Sequence, residues 1–141
     1  MTDTIDFIKR FEGFSPTPYK CPAGYFTFGY GSLVSHYPDT KFPVSEEDAS
    51  TYLDAALMSA ERAVRRLINV DLTENQFSAL CSFVYNVGSG SLQRSTLRRK
   101  VNREEHCEVP EEFMKWVFGG GRKLPGLIAR RKAEGELYAL V

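Results

Sequence analysis

The sequence predicts a mostly helical α+β protein with one small antiparallel sheet near its start. After residue 45, apolar residues recur at helical spacing over most of the chain. Between residues 14 and 44, aromatic residues, glycines and prolines cluster around short turns, which is typical of hairpins. The 141 residues are 43% hydrophobic, enough for one core of ordinary size. We therefore expect one domain, residues 1–141, with a β region over about 13–44 and helical regions over 1–12 and 45–141.

The first helix is predicted over residues 3–12. Ile5, Ile8 and Phe11 recur at three-residue intervals, and Gly13 is suited to ending the helix. Glu12 is therefore expected at the helix C-terminus, directly before the hairpin region.

The stretch YKCPAGYFTFGYG, residues 19–31, is predicted to form a hairpin. With a turn centred on Gly24, paired residues have numbers that add to 48, so Cys21 faces Thr27. Paired residues project from the same side of a sheet, and the thiol and hydroxyl should be neighbours. A short connection joins this hairpin to Glu12, so the three polar groups are expected to line one cleft.

Two N-capping patterns mark the starts of the longer helices. Ser45 is followed by an acidic residue three positions on, and Thr73 is followed by a glutamine at the same distance. The second of these helices contains FSALCSFVY and is expected to be the buried centre of the helical region, with Cys81 as core packing. The helices are expected from Ser45 to about Ile68, from Thr73 to Gly88, over 95–102 and 110–118, and over about 125–140 with Leu127, Ile128, Leu137 and Leu140 facing inward.

The formal net charge is zero, but basic residues concentrate in residues 94–103 and 122–132. Such runs usually form solvated helix faces. The alternative is a basic surface for a polyanion, either nucleic acid or an anionic cell-wall polymer.

Three cysteines at irregular spacing argue against a disulfide framework and favour a reducing compartment. The first residues contain no apolar run of signal-peptide length, so we expect a chain made and folded in a cytoplasm.

Glu12, Cys21 and Thr27 together could cleave a glycosidic bond. Burial of a carboxylic acid among aromatic side chains such as Phe11 and Phe14 disfavours its ionised form, which suits a general acid. Cys21 and Thr27 are then the candidates for activating or positioning water. Spacing alone leaves simpler roles open: a surface charge at residue 12, a packed thiol at residue 21 and a strand former at residue 27.

The order of residues in this region resembles the active-site stretch of the phage-type lysozymes, the endolysin muramidases of glycoside hydrolase family 24. In that family the catalytic Glu is followed after eight residues by Asp or Cys, and after five more by Thr; Glu12, Cys21 and Thr27 have this spacing. Two later segments, QFSALCSFVYNVGSGSLQRSTLRRKVN and FMKWVFGGGRKLPGLIARRKAEGELY, are similar to the buried helix and the ending of the family.

The resemblance implies a two-lobe lysozyme fold whose cleft binds peptidoglycan and cuts the β-1,4 bond between N-acetylmuramic acid and N-acetylglucosamine. By the same resemblance Glu12 is the general acid, Cys21 with Thr27 handles the water, and the stereochemistry is inverting. Leu33 and Tyr85 match substrate-binding residues that line the cleft. Trp116 and Asn86 lie in matching segments, where either a cleft or a structural role is open.

One departure is Cys21, where many relatives have Asp. An unperturbed thiol is mostly protonated at neutral pH, whereas an Asp is ionised. Lys20 adjoins Cys21, but neighbours in a strand point to opposite faces. We therefore expect the thiol to orient or polarise water and to stabilise the developing positive sugar when ionised.

Three other functions remain as alternatives. The first is a zinc site, but its candidate ligands lack the short spacing of structural zinc, so neither metal nor other cofactor is expected. These candidate ligands are Cys21, Cys81, Cys107, His36 and His106. A nucleic-acid-binding module would use the basic runs but would leave the three polar groups without a role. A wall-binding relative that has lost catalysis would keep the fold and cleft, with Cys21 as the mark of decay.

The expected partners follow from the resemblance. The substrate is bacterial peptidoglycan, and a holin is expected as a functional partner that opens the inner membrane, without direct contact. We expect a monomer that binds no nucleic acid and has no stable membrane association. It should remain in the host cytoplasm until the membrane is permeabilised.

Overall fold

The protein is described here by a computed structural model that covers residues 4–140. Within these residues the chain forms seven α-helices and five short β-strands. The helices are α1 Thr4–Glu12, α2 Glu46–Leu67, α3 Glu74–Val87, α4 Ser89–Arg94, α5 Thr96–Asn102, α6 Val109–Phe113 and α7 Pro125–Ala139. The strands are β1 Ser15–Lys20, β2 Phe26–Gly29, β3 Ser32–Leu33, β4 Phe118–Gly119 and β5 Arg122–Lys123.

The predicted α+β class is confirmed. Strands β1, β2 and β3 form one antiparallel sheet in chain order, and the helices follow it. Residue 3, where the first helix was predicted to begin, lies outside the described residues. No helix within residues 4–140 combines the length and the apolar character needed to cross a membrane.

Helix α1 ends at Glu12, as the sequence predicts. Gly13 adopts a φ of +68°, and its N–H donates to the carbonyl of Lys9 over 2.9 Å. Glycine reaches this left-handed conformation without a steric cost, which is why it ends helices. Ile8 on the same helix is fully buried, so the helix is anchored to the core.

The predicted register of the first hairpin is wrong by two residues. Thr27 pairs with Tyr19, and Cys21 pairs with Tyr25, whose carbonyl accepts from the Cys21 N–H at 2.8 Å. The loop therefore consists of the three residues 22–24, with Gly24 at its end in a positive-φ conformation. Since the error is an even number, Cys21 and Thr27 still project from the same face of the sheet.

Helices α2 and α3 begin at the predicted N-caps. The Ser45 hydroxyl accepts from the Asp48 N–H at 3.0 Å, and Thr73 and Gln76 form a reciprocal capping box. Helix α3 lies against α1, α2 and α7, which makes it the centre of the core as predicted. Cys81 on α3 is 1% exposed, so its predicted role as core packing is confirmed.

The C-terminal part differs from the prediction in two places. Helix α6 ends at Phe113 rather than near residue 118, because a small hairpin of β4 and β5 follows. Its two-residue turn is Gly120–Gly121, both with positive φ, as tight hairpin turns require. Helix α4 was also not predicted.

The inward face of helix α7 is the larger difference. Ile128 and Leu140 were predicted to face inward, but they are 36% and 54% exposed. Arg130, Arg131 and Glu134 are buried instead, so this part of the basic run is not a solvated face.

Candidate active site

A cavity of about 500 Å³ lies between the sheet and the helices and contains the predicted catalytic residues. Glu12 reaches it from the end of α1, Cys21 and Thr27 from the hairpin, and Tyr85 from α3. All five residues predicted for the site border this cavity, as do Trp116 and Asn86. Its lining residues are Glu12, Tyr19, Cys21, Ala23, Tyr25, Thr27, Gly31, Leu33, Tyr85, Asn86, Val87, Lys115, Trp116, Phe118 and Leu127.

The Glu12 carboxylate is held by an ion pair with Arg130. Arg130 Nη1 donates to Glu12 Oε2 over 2.6 Å, and the two side chains are 4% and 16% exposed. Phe11 and Phe14, expected as apolar neighbours of this carboxyl, contact the rings of Phe7 and Tyr30. The sequence analysis did not anticipate the guanidinium that binds the carboxylate.

Gly31 lies directly against the Glu12 carboxyl group. A Cβ atom at this position would lie 2.7 Å from Glu12 Cδ and closer still to Oε1. Gly31 also has a φ of +83°, in the region that L side chains rarely adopt. The close approach and the backbone conformation both require glycine here.

Thr27 presents a buried hydroxyl without a partner. The residue is 6% exposed, and its Oγ1 makes no hydrogen bond to any residue of the described chain. Buried polar groups are nearly always hydrogen-bonded, so an unpartnered hydroxyl at a cavity wall is suited to binding water or a ligand.

Cys21 is a free, half-buried thiol at the end of the first strand of the hairpin. The loop fixes its backbone, since its N–H donates to Tyr25 and its carbonyl accepts from Gly24 at 2.8 Å. Lys20, its neighbour in sequence, is exposed and does not border the cavity. The thiol therefore faces the cavity without the adjacent ammonium.

Behind Glu12 lies a buried cluster of charges that the sequence analysis missed. Arg130 Nε is 3.3 Å from Glu134 Oε2, and Arg131 Nε is 2.7 Å from Glu134 Oε1, although that N–H is poorly aligned for a hydrogen bond. Ser82 Oγ donates to Glu134 Oε2 over 2.6 Å. Burial raises the pKa of Glu134 against the opposing effect of the two guanidinium groups. The spacing of Arg130, Arg131 and Glu134 along one helix could have indicated these pairs.

A second cavity, of about 400 Å³, continues the first. The two share Gly31, Leu33 and Tyr85 in their walls. The Tyr85 hydroxyl donates to the carbonyl of Tyr30 over 2.7 Å, and burial raises the pKa of Tyr85. Tyr85 is therefore neutral at physiological pH and fixed in position. Together the two cavities form one groove.

Two further features of the groove concern metal ligands and the approach of two hairpins. Among the residues that the structure describes, no three His, Cys, Asp or Glu side chains are grouped so as to hold a metal ion. At one end the tip of the first hairpin approaches the β4–β5 hairpin, where a Cβ atom on Gly119 would lie 3.5 Å from the Ala23 Cβ. Tyr25 and Phe118, both largely exposed, lie on these two hairpins and border the cavity.

Comparison with known proteins agrees with this architecture. The chain is 38% identical over 135 residues to an endolysin of Acyrthosiphon pisum secondary endosymbiont phage 1, covering 93% of this chain and 91% of that protein. It is 39% identical over 139 residues to an endolysin of Bacillus phage B103, covering 95% of this chain but 51% of that longer protein. The muramidase domain of SpmX from Asticaccaulis excentricus superposes with a TM-score of 0.85 at 31% identity, covering 98% of this chain and 95% of that domain.

The fold, the groove and these relatives define a glycoside hydrolase of the lysozyme class. A profile of the phage lysozyme family matches residues 9–134, and the chain belongs to that family. The predicted resemblance and the predicted lysozyme fold are both confirmed. The relatives also support an endolysin or muramidase function at this level of detail.

Proposed function

We propose that this protein hydrolyses the β-1,4 bond between N-acetylmuramic acid and N-acetylglucosamine in bacterial peptidoglycan. The observation that carries the proposal is that Glu12 at a helix end, Cys21 directly after β1 and Thr27 in β2 border one cavity of the groove. The endolysin relatives support the choice of peptidoglycan as the substrate.

In the proposed mechanism Glu12 is the general acid. The step uses the protonated form of the group, with Oε2 still accepting from Arg130: the proton passes from Oε1 to the glycosidic oxygen as the bond to the anomeric carbon breaks and an oxocarbenium-like sugar develops. A water molecule attacks the opposite face of that carbon, which inverts its configuration. Arg130 keeps the Glu12 carboxyl in one orientation, and positioning of this kind is a large part of enzymatic rate enhancement.

Cys21 and Thr27 handle the attacking water. The unpartnered Thr27 hydroxyl binds the water, and the Cys21 sulfur orients it; in its thiolate form the sulfur accepts the proton that the water releases as the water oxygen bonds to the anomeric carbon. Thiolate also provides a negative charge that stabilises the developing positive sugar. Leu33 and Tyr85 form the floor shared by the two cavities and bind the glycan on both sides of the cleaved bond.

The test is the release of reducing ends from purified peptidoglycan by variants of the two polar positions. Glu12→Gln keeps the shape of the side chain and removes the proton, so we expect activity to fall by roughly 100-fold or more. Cys21→Asp should keep most of the activity because a carboxylate also orients water and accepts a proton, whereas Cys21→Ser should lose more. Equal activity of the two Cys21 variants would refute a role for charge or basicity at that position.

Alkylation of the thiol gives an independent check. Cys81 is buried, so a reagent that blocks Cys21 should inhibit the native protein. The exposed Cys107 is also modified, and Cys107→Ser serves as the matched control. Inhibition that disappears in Cys107→Ser would contradict the proposal.

We further propose that the protein acts as a monomer and remains in the host cytoplasm until a holin opens the membrane. The proposal also holds that the protein binds no nucleic acid and forms no stable association with a membrane. Expression in a bacterial host should leave the cells intact, and permeabilisation of the membrane should then cause rapid lysis. Lysis by the expressed protein before any permeabilisation would exclude the dependence on a holin.

A further inference from the structure

Asn86 occupies the last turn of helix α3, where it is exposed and borders the cavity that contains Glu12. Its Oδ1 accepts a hydrogen bond from Arg131 Nη2 over 2.9 Å. The orientation of the amide is therefore set by a residue behind the cavity wall.

Arg131 fixes the orientation of the Asn86 amide group. The residue is fully buried, pairs with Glu134 and lies with its guanidinium 5.1 Å from the centre of the Phe83 ring. Burial lowers the pKa of Arg131 to about 10, against the raising effect of Glu134, so the group is charged at neutral pH. A guanidinium only donates hydrogen bonds, so the Asn86 oxygen must face it and the NH₂ group must lie on the other side.

We propose that Asn86 is a substrate-positioning residue whose amide NH₂ donates a hydrogen bond to a carbonyl oxygen of the wall glycan. Among the described residues, none accepts a hydrogen bond from Asn86 Nδ2, which leaves both of its hydrogens for a ligand in the groove. This inference rests on the proposed function, which supplies the glycan. Two kinds of carbonyl group in that glycan are eligible: the N-acetyl groups of the two sugars and the lactyl group of N-acetylmuramic acid.

The competing explanation is that Asn86 serves merely to satisfy Arg131. The substitution Asn86→Asp separates the two roles. Aspartate has the same shape and still accepts from Arg131, now as a charged partner, so the fold keeps or gains stability. The same change removes the donor and places a carboxylate oxygen against the carbonyl of the substrate.

The experiment compares Asn86→Asp with Asn69→Asp. Asn69 is exposed and outside both cavities, so its variant carries the same change in charge away from the groove. We expect Asn86→Asp to raise KM for peptidoglycan roughly tenfold, with kcat changed less than about twofold and with Tm equal to or above that of the unsubstituted protein. Asn69→Asp should leave KM unchanged. An unchanged KM in Asn86→Asp, or a lowered Tm, would overturn the inference.

Peptidoglycan that has been N-deacetylated identifies the acceptor. If the acceptor is an N-acetyl carbonyl, deacetylation raises KM for the unsubstituted protein to the level of Asn86→Asp. If it is the lactyl carbonyl, the difference between the two proteins persists on the deacetylated polymer. The first result identifies an N-acetyl carbonyl as the acceptor, and the second result excludes it.

A binding measurement keeps this inference separate from the proposed function. The proposed hydrolysis is refuted if neither the unsubstituted protein nor any variant releases reducing ends. Sedimentation of each protein with insoluble peptidoglycan then still tests Asn86: weaker binding of Asn86→Asp than of Asn69→Asp supports the donor role, and equal binding refutes it.

Discussion

Gly31→Ala should displace the Glu12 carboxyl group and lower the activity far more than it lowers the stability of the fold. A Cβ atom at residue 31 would overlap Oε1 of Glu12 and lie 2.7 Å from its Cδ and 3.2 Å from its Oε2. The backbone there belongs to the connection between β2 and β3, so the carboxyl group is the part that has to move. Movement also stretches the 2.6 Å contact with Arg130.

Two costs can be worked out for this substitution. Alanine at a φ of +83° costs about 1–2 kcal/mol. For 141 residues the entropy of unfolding is about 0.3 kcal/mol per kelvin, so the Tm should fall by about 3–7 °C. Displacement of a catalytic group by about 1 Å costs roughly 100-fold in rate. Activity should therefore fall far more than stability does.

Gly121→Ala is the matched control. Gly121 has a φ of +82°, and a Cβ atom there meets nothing within 4 Å, so this variant bears the same backbone strain without the collision. The assays are thermal unfolding and reducing-end release from peptidoglycan, well below both Tm values. We expect similar Tm values and an activity at least about 100-fold lower for Gly31→Ala. Activities within a few-fold of each other would refute the placement of Glu12 in the reaction.

Two further predictions concern buried charges. At Glu112, burial is outweighed by hydrogen bonds from Lys115 and Lys100, which lower its pKa. A carboxyl with a lowered folded-state pKa stabilises the fold above its unfolded pKa and loses this contribution as pH falls through the folded value. Glu112→Gln should thus cost about 1–2 kcal/mol in urea unfolding at pH 7 and less at acidic pH; a cost independent of pH would contradict this explanation. Glu134→Gln removes the carboxylate that pairs with the buried Arg131, while Arg130 keeps Glu12; the change should cost about 3–5 kcal/mol, whereas a loss below about 1 kcal/mol would show that the cluster tolerates neutralisation.

Local signals in the sequence were sufficient for the elements that place Glu12. Gly13 ends α1 because glycine tolerates the left-handed conformation, and Ser45 and Thr73 begin helices because their hydroxyls accept from backbone N–H groups three residues on. Such signals depend on a few adjacent residues. They can therefore be recognised in the sequence without knowledge of the tertiary structure.

The hairpin register shows how a local signal can be misinterpreted. Centring the turn on Gly24 assumed a symmetric loop, whereas the chain forms a three-residue loop in which Gly24 takes the final, positive-φ position. The spacing of Pro22 and Gly24 fits that loop, with proline early and glycine last. The face shared by Cys21 and Thr27 survived the error because side chains alternate with a period of two.

The spacing along α7 indicates ion pairs of Arg130 and Arg131 with Glu134, but the burial of these charges could not be predicted from the sequence. Arg130 and Arg131 lie in a basic run that reads as solvated, and their burial follows from packing of α7 on α3. The polar partners of these buried charges come from other helices: Ser82 lies on α3 and Glu12 on α1. A pattern within one helix contains no record of such partners.

The contact between Glu12 and Arg130 joins residues 118 positions apart in the chain. The guanidinium that orients the carboxyl group is therefore synthesised 118 residues after it. A chain truncated before α7 would have Glu12 without this partner, so we expect α7 to be required before the carboxyl group can be held in one orientation.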